Sequence, residues 1–532
     1  MPTDCISLQE SGYFSSLIND YLNQKPELAS LYNHFPKIEH FKHQISEKDA
    51  NFDGIFNNKR QNLVDALQKQ YQGFEISELT KDNISLLADA KTFTITTGHQ
   101  LNLFTGPLYF LYKIVSTINL CKQLKQEYPE NNFVPIYWMA TEDHDFEEIN
   151  YFNFNNNKIS WKKDSKGPVG RLSTKDLDLV FAEFDKILND TENASFLKKL
   201  FKDSYLNQSN LADATRFLAN ALFGSNGLVI LDGDDADFKK TFVPFIKDEL
   251  VNRKSFQNVS ETNIQLADYT IQVNPREINL FYIEDNLRER IVFEDNKFKI
   301  NNTKIEFSEA EILQLVDTNP EKFSPNVILR PLYQEVILPN LCYIGGGGEI
   351  AYWLQLKSNF EYHNVTFPIL LIRNSAVLAT EKQDLKRSKL NLTWMNLFEK
   401  QLDLLTRKTK EFSNFKIDFT TQKEHLKKQF DNLNEITLKT DKSFIGAVKA
   451  QEKKQIKGLE NLEKRLLLAE KRVHKEELDR IVYIQNQLFP KHSLQERQTN
   501  FSEYYKEYGL EFIDKLFLEL KPLEHEFKII IL

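Results

Sequence analysis

Apolar positions recur at two different periods along this chain, and the change from one to the other marks its parts. Leu63, Val64, Leu67 and Tyr71 repeat at helical spacing, and residues 1–90 read as amphipathic helices separated by polar turns. From about residue 91, short apolar runs alternate with helical ones. Phe93–Gly98 (FTITTG) is a β-branched run ending in glycine, and Leu108, Leu111, Ile114, Val115 and Ile118 then mark a helix over Leu108–Lys125. Phe133–Ala140 (FVPIYWMA) is a second buried run, and Gly227–Phe238 (GLVILDGDDADF) repeats the theme. Strand, helix, strand, helix at this spacing predicts parallel βαβ units. Between NPRE, EDN and NNT, the Val, Ile, Phe and Tyr runs of 262–306 predict an antiparallel β insertion. The core resumes at Val327–Pro339 and ends in the buried strand Phe367–Arg373.

Beyond Pro368 no proline occurs until Pro490. Leu405, Phe412, Phe419, Leu426 and Leu433 recur every seven residues, with Phe415 and Phe430 near the second seam position. Further on, Leu459, Leu462, Leu466, Ala469 and Val473 keep a 3-4 spacing, which is coiled-coil periodicity. NEITLKTDKSFIGA breaks the pattern between them and predicts a chain reversal, so the expectation is an intramolecular antiparallel hairpin, with pairing between two chains as the rival. The chain thus divides into a helical segment 1–90, a core at 91–261 and 307–376 around the insertion 262–306, a coiled-coil hairpin 377–490 and a closing segment 491–532. That last segment is expected to dock near the hairpin base.

Composition narrows the function. The chain has 532 residues, ample for a core that needs no staples. Its 68 Lys plus Arg against 76 Asp plus Glu give a formal net charge of −8, which argues against a nucleic-acid coat. Cys5, Cys121 and Cys342 form no CxxC pair and read as unpaired thiols. The start MPTDCISLQESGYF lacks a basic stretch followed by an apolar one, and no apolar run is long enough to cross a bilayer. The expectation is a cytoplasmic protein without nucleic-acid or membrane partners.

Candidate chemistry falls at the carboxyl ends of predicted strands, where ligands sit in parallel sheets. TTGHQLNLFTGPLYFLYK places Gly98, His99, Gln100 and Asn102 on a strand-to-helix turn, with Lys113 inside the helix. An imidazole and an ammonium there could stabilise charge on a transferring phosphoryl or adenylyl group; a capping turn with a solvated histidine is the competing reading. TEDHDFEE crowds Glu142, Asp143, His144, Asp145, Glu147 and Glu148 into eight residues, where like charges raise one another's pKa. Such a group can orient an ammonium or act as a general base. His144 and Glu148 stand at i,i+4. Third is Tyr343, a run of four glycines that includes Gly346 and Gly347, then Glu349, Tyr352 and Trp353, which reads as a backbone-lined pocket. Arg330 and Arg373, placed at strand ends, are carboxylate clamps in this reading. Asp232, Asp234, Asp235 and Asp237 suit binding or helix capping equally.

Together, TTGHQLNLFTGPLYFLYK, TEDHDFEE, RPLYQEVILPNLCYIGGGGEIAYWLQLK and LQERQTNF (Leu494–Phe501) resemble the bacillithiol-biosynthesis cysteine-adding enzymes, in an order that covers essentially the whole chain. The resemblance implies an α/β fold: a Rossmann-like parallel-sheet core with inserted segments, related to class I aminoacyl-tRNA-synthetase-like nucleotidyltransferases, followed by a long antiparallel coiled-coil hairpin. It implies a ligase that adds L-cysteine to the amino group of glucosaminyl-malate to form bacillithiol, with ATP and accompanying magnesium. In that superfamily a histidine-rich turn after the first strand handles ATP; only Gly98 and His99 echo it here. The resemblance also implies a nucleotide, ATP or ADP, near the coiled-coil base, at Leu494, Gln495, Arg497 and Asn500.

On this reading His99 and Gln100 steady the activated carboxyl, and Asp143, His144 or Asp145 positions and deprotonates the amine. Gly98, Asn102, Lys113, Glu142, Arg330, Tyr343, Gly346, Gly347, Glu349, Tyr352, Trp353 and Arg373 bind substrate. No metal ligand is assigned, and the chain is expected to be a monomer or a coiled-coil-mediated homodimer. The rivals are another nucleotidyltransferase-like or sugar-processing enzyme and a non-enzymatic coiled-coil assembly protein. Clustered motifs at three strand ends weigh against the last, since a scaffold has no need of them.

Overall fold

The structure is a computed structural model that describes residues 4–52 and 58–532; the first three residues and 53–57 of the stretch expected to be helical lie outside the described residues. The chain forms two compact units, one of residues up to Val377 together with Gln495–Ile530, the other of Leu378–Leu494 with Ile531–Leu532.

The first unit is organised by five parallel strands: β1 (Thr92–His99), β2 (Asn132–Met139), β3 (Val229–Asp232), β4 (Asn340–Gly345) and β5 (Ile369–Ile372), in the order β5-β4-β1-β2-β3. Covered on both faces, such strands are near-continuously buried, and every residue of β1 is. The β1–β2 register runs from Thr92 opposite Asn132 to His99 opposite Met139. The threonines of β1 stay dry because each hydroxyl is satisfied: Thr94 and Thr96 donate to Asn340 Oδ1, and Thr97 donates to the Ile344 carbonyl. Helix α1 (Tyr109–Glu127) makes the β1-to-β2 crossover, while α2 (Arg330–Ile337) and α3 (Gly347–Trp353) flank β4. The strand order reverses between β1 and β4, so the carboxyl ends of these two strands frame a switch-point crevice. The parallel core and its α/β class are as the periodicity predicts.

The insertion differs in its limits. Its five antiparallel strands begin only at Leu280 and end with Phe323–Pro325, in the order Glu306–Phe307, Lys297–Ile300, Leu287–Glu294, Leu280–Glu284, Phe323–Pro325. Residues 262–265 complete the helix Lys254–Gln265. The apolar run IQV that follows is held as coil, because the Gln355 side-chain oxygen accepts from the Gln272 and Val273 amides at 3.2 Å. The opening segment also contains a strand, Asp4–Ser7, which pairs antiparallel with Glu526–Ile531. Residues 495–530 belong to the first unit. There Asn119 Nδ2 on α1 donates to the Phe517 and Leu520 carbonyls at 2.9 and 2.8 Å.

The second unit carries the hairpin. Its arms pair antiparallel within one chain: Lys423 Nζ lies 2.5 Å from Glu463 Oε2, Lys471 Nζ 3.1 Å from Thr406 Oγ1, and Gln401 Nε2 3.0 Å from Asn486 Oδ1. The first arm is not one helix. Gln401–Phe412 stops, and Thr420–Thr437 restarts after Asp418 accepts from the Thr420 amide at 2.8 Å. The interruption resets the heptad, so Leu404, Ile417 and Phe430 are buried while Phe415 and Leu433 are exposed. On the second arm the seam passes through Val448, and Leu462 and Val473 face outward. No helix among the described residues is long and apolar enough to cross a membrane.

Lys48 on the helix Phe41–Phe52 reaches the core as a fully buried ammonium, 3.0 Å from Glu335 Oε2 and 3.2 Å from the Thr366 carbonyl. Replacing one member of such a pair leaves the other charge buried and unpaired, at a cost of about 3–5 kcal/mol. Lys48→Met should therefore lower the denaturant midpoint of the first unit strongly, and a midpoint within error of wild type would show that Glu335 is satisfied without Lys48.

Candidate active site

His99 ends β1, walled by Tyr109 and Phe110 with ring centroids 5.2 and 5.1 Å away. Burial, reinforced by the positive charges of Lys113 and Arg373, holds its pKa well below the usual value, so the imidazole is neutral. Its Nε2 is buried and meets no hydrogen-bond partner among the described residues. Lys113, from α1, donates to the Gly98 carbonyl at 2.7 Å and lies 2.6 Å from Glu349 Oε2. Burial lowers the ammonium's pKa, and Glu349 opposes that shift. Glu349 also accepts from the Tyr343 hydroxyl (2.7 Å) and the Gly346 amide (2.9 Å). Burial alone would raise its carboxyl, but Lys113 and these donors outweigh it and hold it below the usual range.

A Cβ at Gly98 would crowd this convergence: it would stand 3.1 Å from the Tyr343 hydroxyl, which would have to give by a few tenths of an ångström. In the glycine run only Gly345 is tightly packed, with Glu349 Cβ 2.9 Å from its Cβ position; a Cβ on Gly346, Gly347 or Gly348 would meet only ordinary contacts of 3.4 Å or more. Trp353 is fully buried and stacks on Tyr343 at 4.5 Å, so it supports the wall from behind. Cys342 is a buried core thiol whose pKa burial raises.

The acidic segment is less crowded in space than in sequence. Glu142 is buried, and its carboxylate pairs with Lys239, which also donates to the Phe323 carbonyl at 2.6 Å. Burial nevertheless raises the Glu142 pKa. Gln100 Nε2 donates to Asp143 Oδ2 and Glu148 Oε2, each at 2.9 Å, holding two carboxylates with one amide. The expected His144–Glu148 helical pair is absent because the helix begins only at Phe146. His144 instead meets Arg288 of the inserted sheet, with Nδ1 2.7 Å from Nη1. One ligand atom each from Asp143, His144 and Asp145 lies within 4.8 Å of the others, a spacing a metal ion could use. The fit is poor, because Arg288 takes up Nδ1 and sets a fixed positive charge beside any ion there.

Arg330 opens α2 instead of ending a strand, and donates to Gln334 (3.0 Å) and the Tyr352 hydroxyl (3.3 Å). Arg373 follows β5, and its two terminal nitrogens are taken by the Asn374 carbonyl, Ser375 and Glu496, the last at 2.7 Å. Its Nε is buried with no hydrogen-bond partner among the described residues.

These groups share one cavity of about 1040 Å³, within the first unit. It is lined by His99, Gln100, Asp143, His144, Asp145, Gly98, Lys113, Glu142, Arg330, Tyr343, Gly346, Gly347, Glu349, Tyr352, Arg373 and Arg497, all expected from sequence. Asn102, Trp353, Leu494, Gln495 and Asn500 do not line it. Asn102 braces the Glu148 carbonyl at 3.2 Å, and Leu494 and Gln495 are buried. The Asn500 amide donates to the Phe104 and Gly106 carbonyls at 2.7 and 2.6 Å, so it serves a backbone turn. Sequence reasoning missed Arg276, Arg288, Arg290 and Asn326, which also line the cavity. Arg288 and Arg290 were findable: two residues apart on a strand, they share one face.

The aspartates after β3 are consumed locally. Asp232 accepts from the Thr141 hydroxyl, Asp234 takes a two-pronged ion pair from Arg171 (2.7 and 2.9 Å), and Asp235 caps the helix Ala236–Asn252.

Comparison with known proteins follows this division of the chain. Residues 1–374 match the family model of the bacillithiol biosynthesis BshC N-terminal Rossmann-like domain, and residues 376–532 match that of the BshC C-terminal coiled-coil domain. A protein of Flavobacterium psychrophilum is 69% identical over 100% of this chain and 99% of its own length. One of Flavobacterium johnsoniae is 63% identical over the whole of both chains, and one of Bacillus anthracis is 28% identical over 96% of each. Each carries the provisional name cysteine ligase BshC.

Burial and the neighbouring charge of Asp234 push the Asp232 carboxyl from its ordinary 3.8 up to about 6. Between these values the folded chain binds more proton than the unfolded one, so stability falls as pH rises through that window. The loss is on the order of 3 kcal/mol. Asp232→Asn, which can still accept from Thr141, should flatten this part of the melting temperature–pH profile. An unchanged slope would assign the proton uptake elsewhere.

Proposed function

The chain belongs to the BshC family of bacillithiol biosynthesis, and from that premise we propose that it joins the carboxyl group of L-cysteine to the amino group of glucosaminyl-malate. Forming an amide from a carboxylate and an ammonium in water is uphill, so the carboxyl must first become a phosphoric anhydride and the amine must lose a proton. ATP is the proposed source of the activation: it supplies a phosphate or nucleotide leaving group on the cysteine carboxyl. Magnesium would arrive as a chelate of its phosphates, and no protein ligand is assigned to it.

The observation that carries the reading is the charge content of one cavity. Lys113, Arg276, Arg288, Arg290, Arg330, Arg373 and Arg497 line it together with Glu142, Asp143, Asp145, Glu148 and Glu349. The amine substrate has two carboxylates and one ammonium, so it needs both signs at fixed spacing. Guanidiniums suit the first because their planar forks match carboxylate geometry, and the carboxylates of Glu142–Glu148 suit the second. At about 1040 Å³ the cavity is also large enough for more than one reactant.

His99 is neutral, with an unsatisfied buried nitrogen beside two cations. That suits it to hold a hydrogen bond to the activated carboxyl group without carrying charge of its own. Arg373 Nε, likewise buried and without a hydrogen-bond partner among the described residues, offers a donor for an anionic oxygen. Lys113 is largely committed to Gly98 and Glu349, so it acts on the substrate through the shape and field of the wall.

The direct test is incubation with glucosaminyl-malate, labelled cysteine, ATP and magnesium, read by mass spectrometry. The expected result is the cysteinyl conjugate with an equal amount of AMP or ADP. Folded protein that forms no conjugate, alone or with cell extract added, would overturn the ligase reading.

A further inference from the structure

The inserted sheet reaches into the acidic segment with one residue, Arg288. Its guanidinium lies 4.0 Å from the centre of the Phe281 ring, donates to Ser324 at 3.3 Å and to the Pro325 carbonyl at 3.5 Å, and meets His144 Nδ1 at 2.7 Å. The charges of Glu142, Asp143, Asp145 and Asp234 surround it. A guanidinium has only donors and stays protonated in proteins. His144 Nδ1 must therefore accept, which places the single ring proton on Nε2. In that tautomer His144 can donate through Nε2, but to take a proton it would have to turn a second N–H toward Arg288.

We infer that Arg288 is a positioning residue that fixes His144 as an Nε2–H donor to the substrate and leaves the amine's protons to Asp145. The inference rests on the ligase reading and chooses the base among Asp143, His144 and Asp145. Asp143 is already committed, with one oxygen accepting from Gln100 and the other from the His144 amide at 2.7 Å. Among the described residues Asp145 accepts no side-chain hydrogen bond, its Oδ1 lies 4.0 Å from His144 Nε2, and its side chain is 58% exposed. In the reaction, Asp145 takes one proton from the ammonium and passes it to water. The amine lone pair then forms the C–N bond to the acyl phosphoric anhydride of cysteine. The second nitrogen proton leaves by the same route, and the C–O bond breaks with its electron pair going to the phosphate or AMP.

Two substitutions at His144 separate a donor from a base. Gln places an amide nitrogen near the position of Nε2, whereas Asn reaches only to that of Nδ1. On this inference H144Q keeps kcat within about tenfold of wild type, while H144N loses about 100-fold or more, as for removal of a preorganised donor. A histidine base would make both variants lose about 100-fold or more alike. D145N should lose at least as much as H144N in kcat, with KM for the amine changed less.

For Arg288 the readout is a double-mutant cycle. R288M lowers kcat by about tenfold or more in the wild-type background, but by less than about threefold in H144Q, whose amide has no tautomer to fix. Equal losses in both backgrounds would mean a merely structural arginine. That result, or H144Q as inactive as H144N, would overturn the inference while wild type stays active. A wild type that makes no conjugate would instead overturn the ligase reading and this inference with it. His144 is 41% exposed, so its variants should keep the wild-type melting temperature.

Discussion

Lys113 is buried in the first unit, and two stretches of sequence, the end of β1 and the loop after β4, meet its ammonium. The Gly98 carbonyl lies one residue before the end of β1, Glu349 stands in the first turn of α3, and Tyr343 of β4 shares Glu349 as its acceptor. Withdrawing an isolated ammonium from water costs several kcal/mol, which only well-placed partners offset. The partners are equally dependent. Without Lys113, the Glu349 carboxylate would be held by a phenol and one amide, and the loop after β4 would lose its tie to β1. Both strand ends bordering the switch-point crevice are thus fixed by one ion pair. A side chain at Gly98 would press on the Tyr343 hydroxyl that joins this arrangement.

Much of this frame was legible in the sequence because it depends on local pattern. The parallel strands show as short β-branched or apolar runs, and the helix after β1 shows its 3.6-residue period over five turns. Candidate residues at strand ends could be chosen because parallel sheets place their ligands there. What did not show was phase. The heptad ran cleanly through Phe412 and Phe419, yet Asp418 caps a new helix and resets the seam onto Phe430. A capping aspartate inside a periodic stretch is a weak signal beside five hydrophobic matches. The run IQV after the helix Lys254–Gln265 likewise looks like a strand, until the Gln355 side chain satisfies its amides from 82 and 83 residues away. No local pattern encodes such a partner.

The acidic segment shows the same limit in its electrostatics. Counted along the chain, TEDHDFEE is a block of mutual repulsion. In space each member has a different fate: Lys239 neutralises Glu142, the Gln100 amide gathers Asp143 and Glu148, and Asp145 stays open to water. Lys239 comes from a helix nearly 100 residues later, and Arg288 from the inserted sheet. Desolvation makes these distant choices decisive, because a buried carboxylate with a lysine and an exposed one without differ far more than their one-letter codes suggest.

The carboxyl-terminal motif LQERQTNF extends this argument from charge to backbone. Its Glu496 is buried against Arg373, Ser375 and the Ala376 amide, so it fixes the guanidinium that lines the cavity. Its Asn500 answers a different need. Phe104 and Thr105 hold left-handed φ values of +48° and +67°, which a bulky and a β-branched residue adopt only at a cost of about 1–2 kcal/mol each. Asn500 accepts from Ser502 and donates to the carbonyls of Phe104 and Gly106, while the Tyr205 hydroxyl accepts from the Phe104 amide at 2.8 Å. The Phe104 ring is driven into Phe152, Phe184, Phe201 and Phe501, where aromatic burial offsets the strain. The turn that leads from His99 into α1 is therefore held by a segment nearly 400 residues away. A motif that resembles a ligand contact in sequence acts, in Asn500, by setting the course of the chain beside the imidazole.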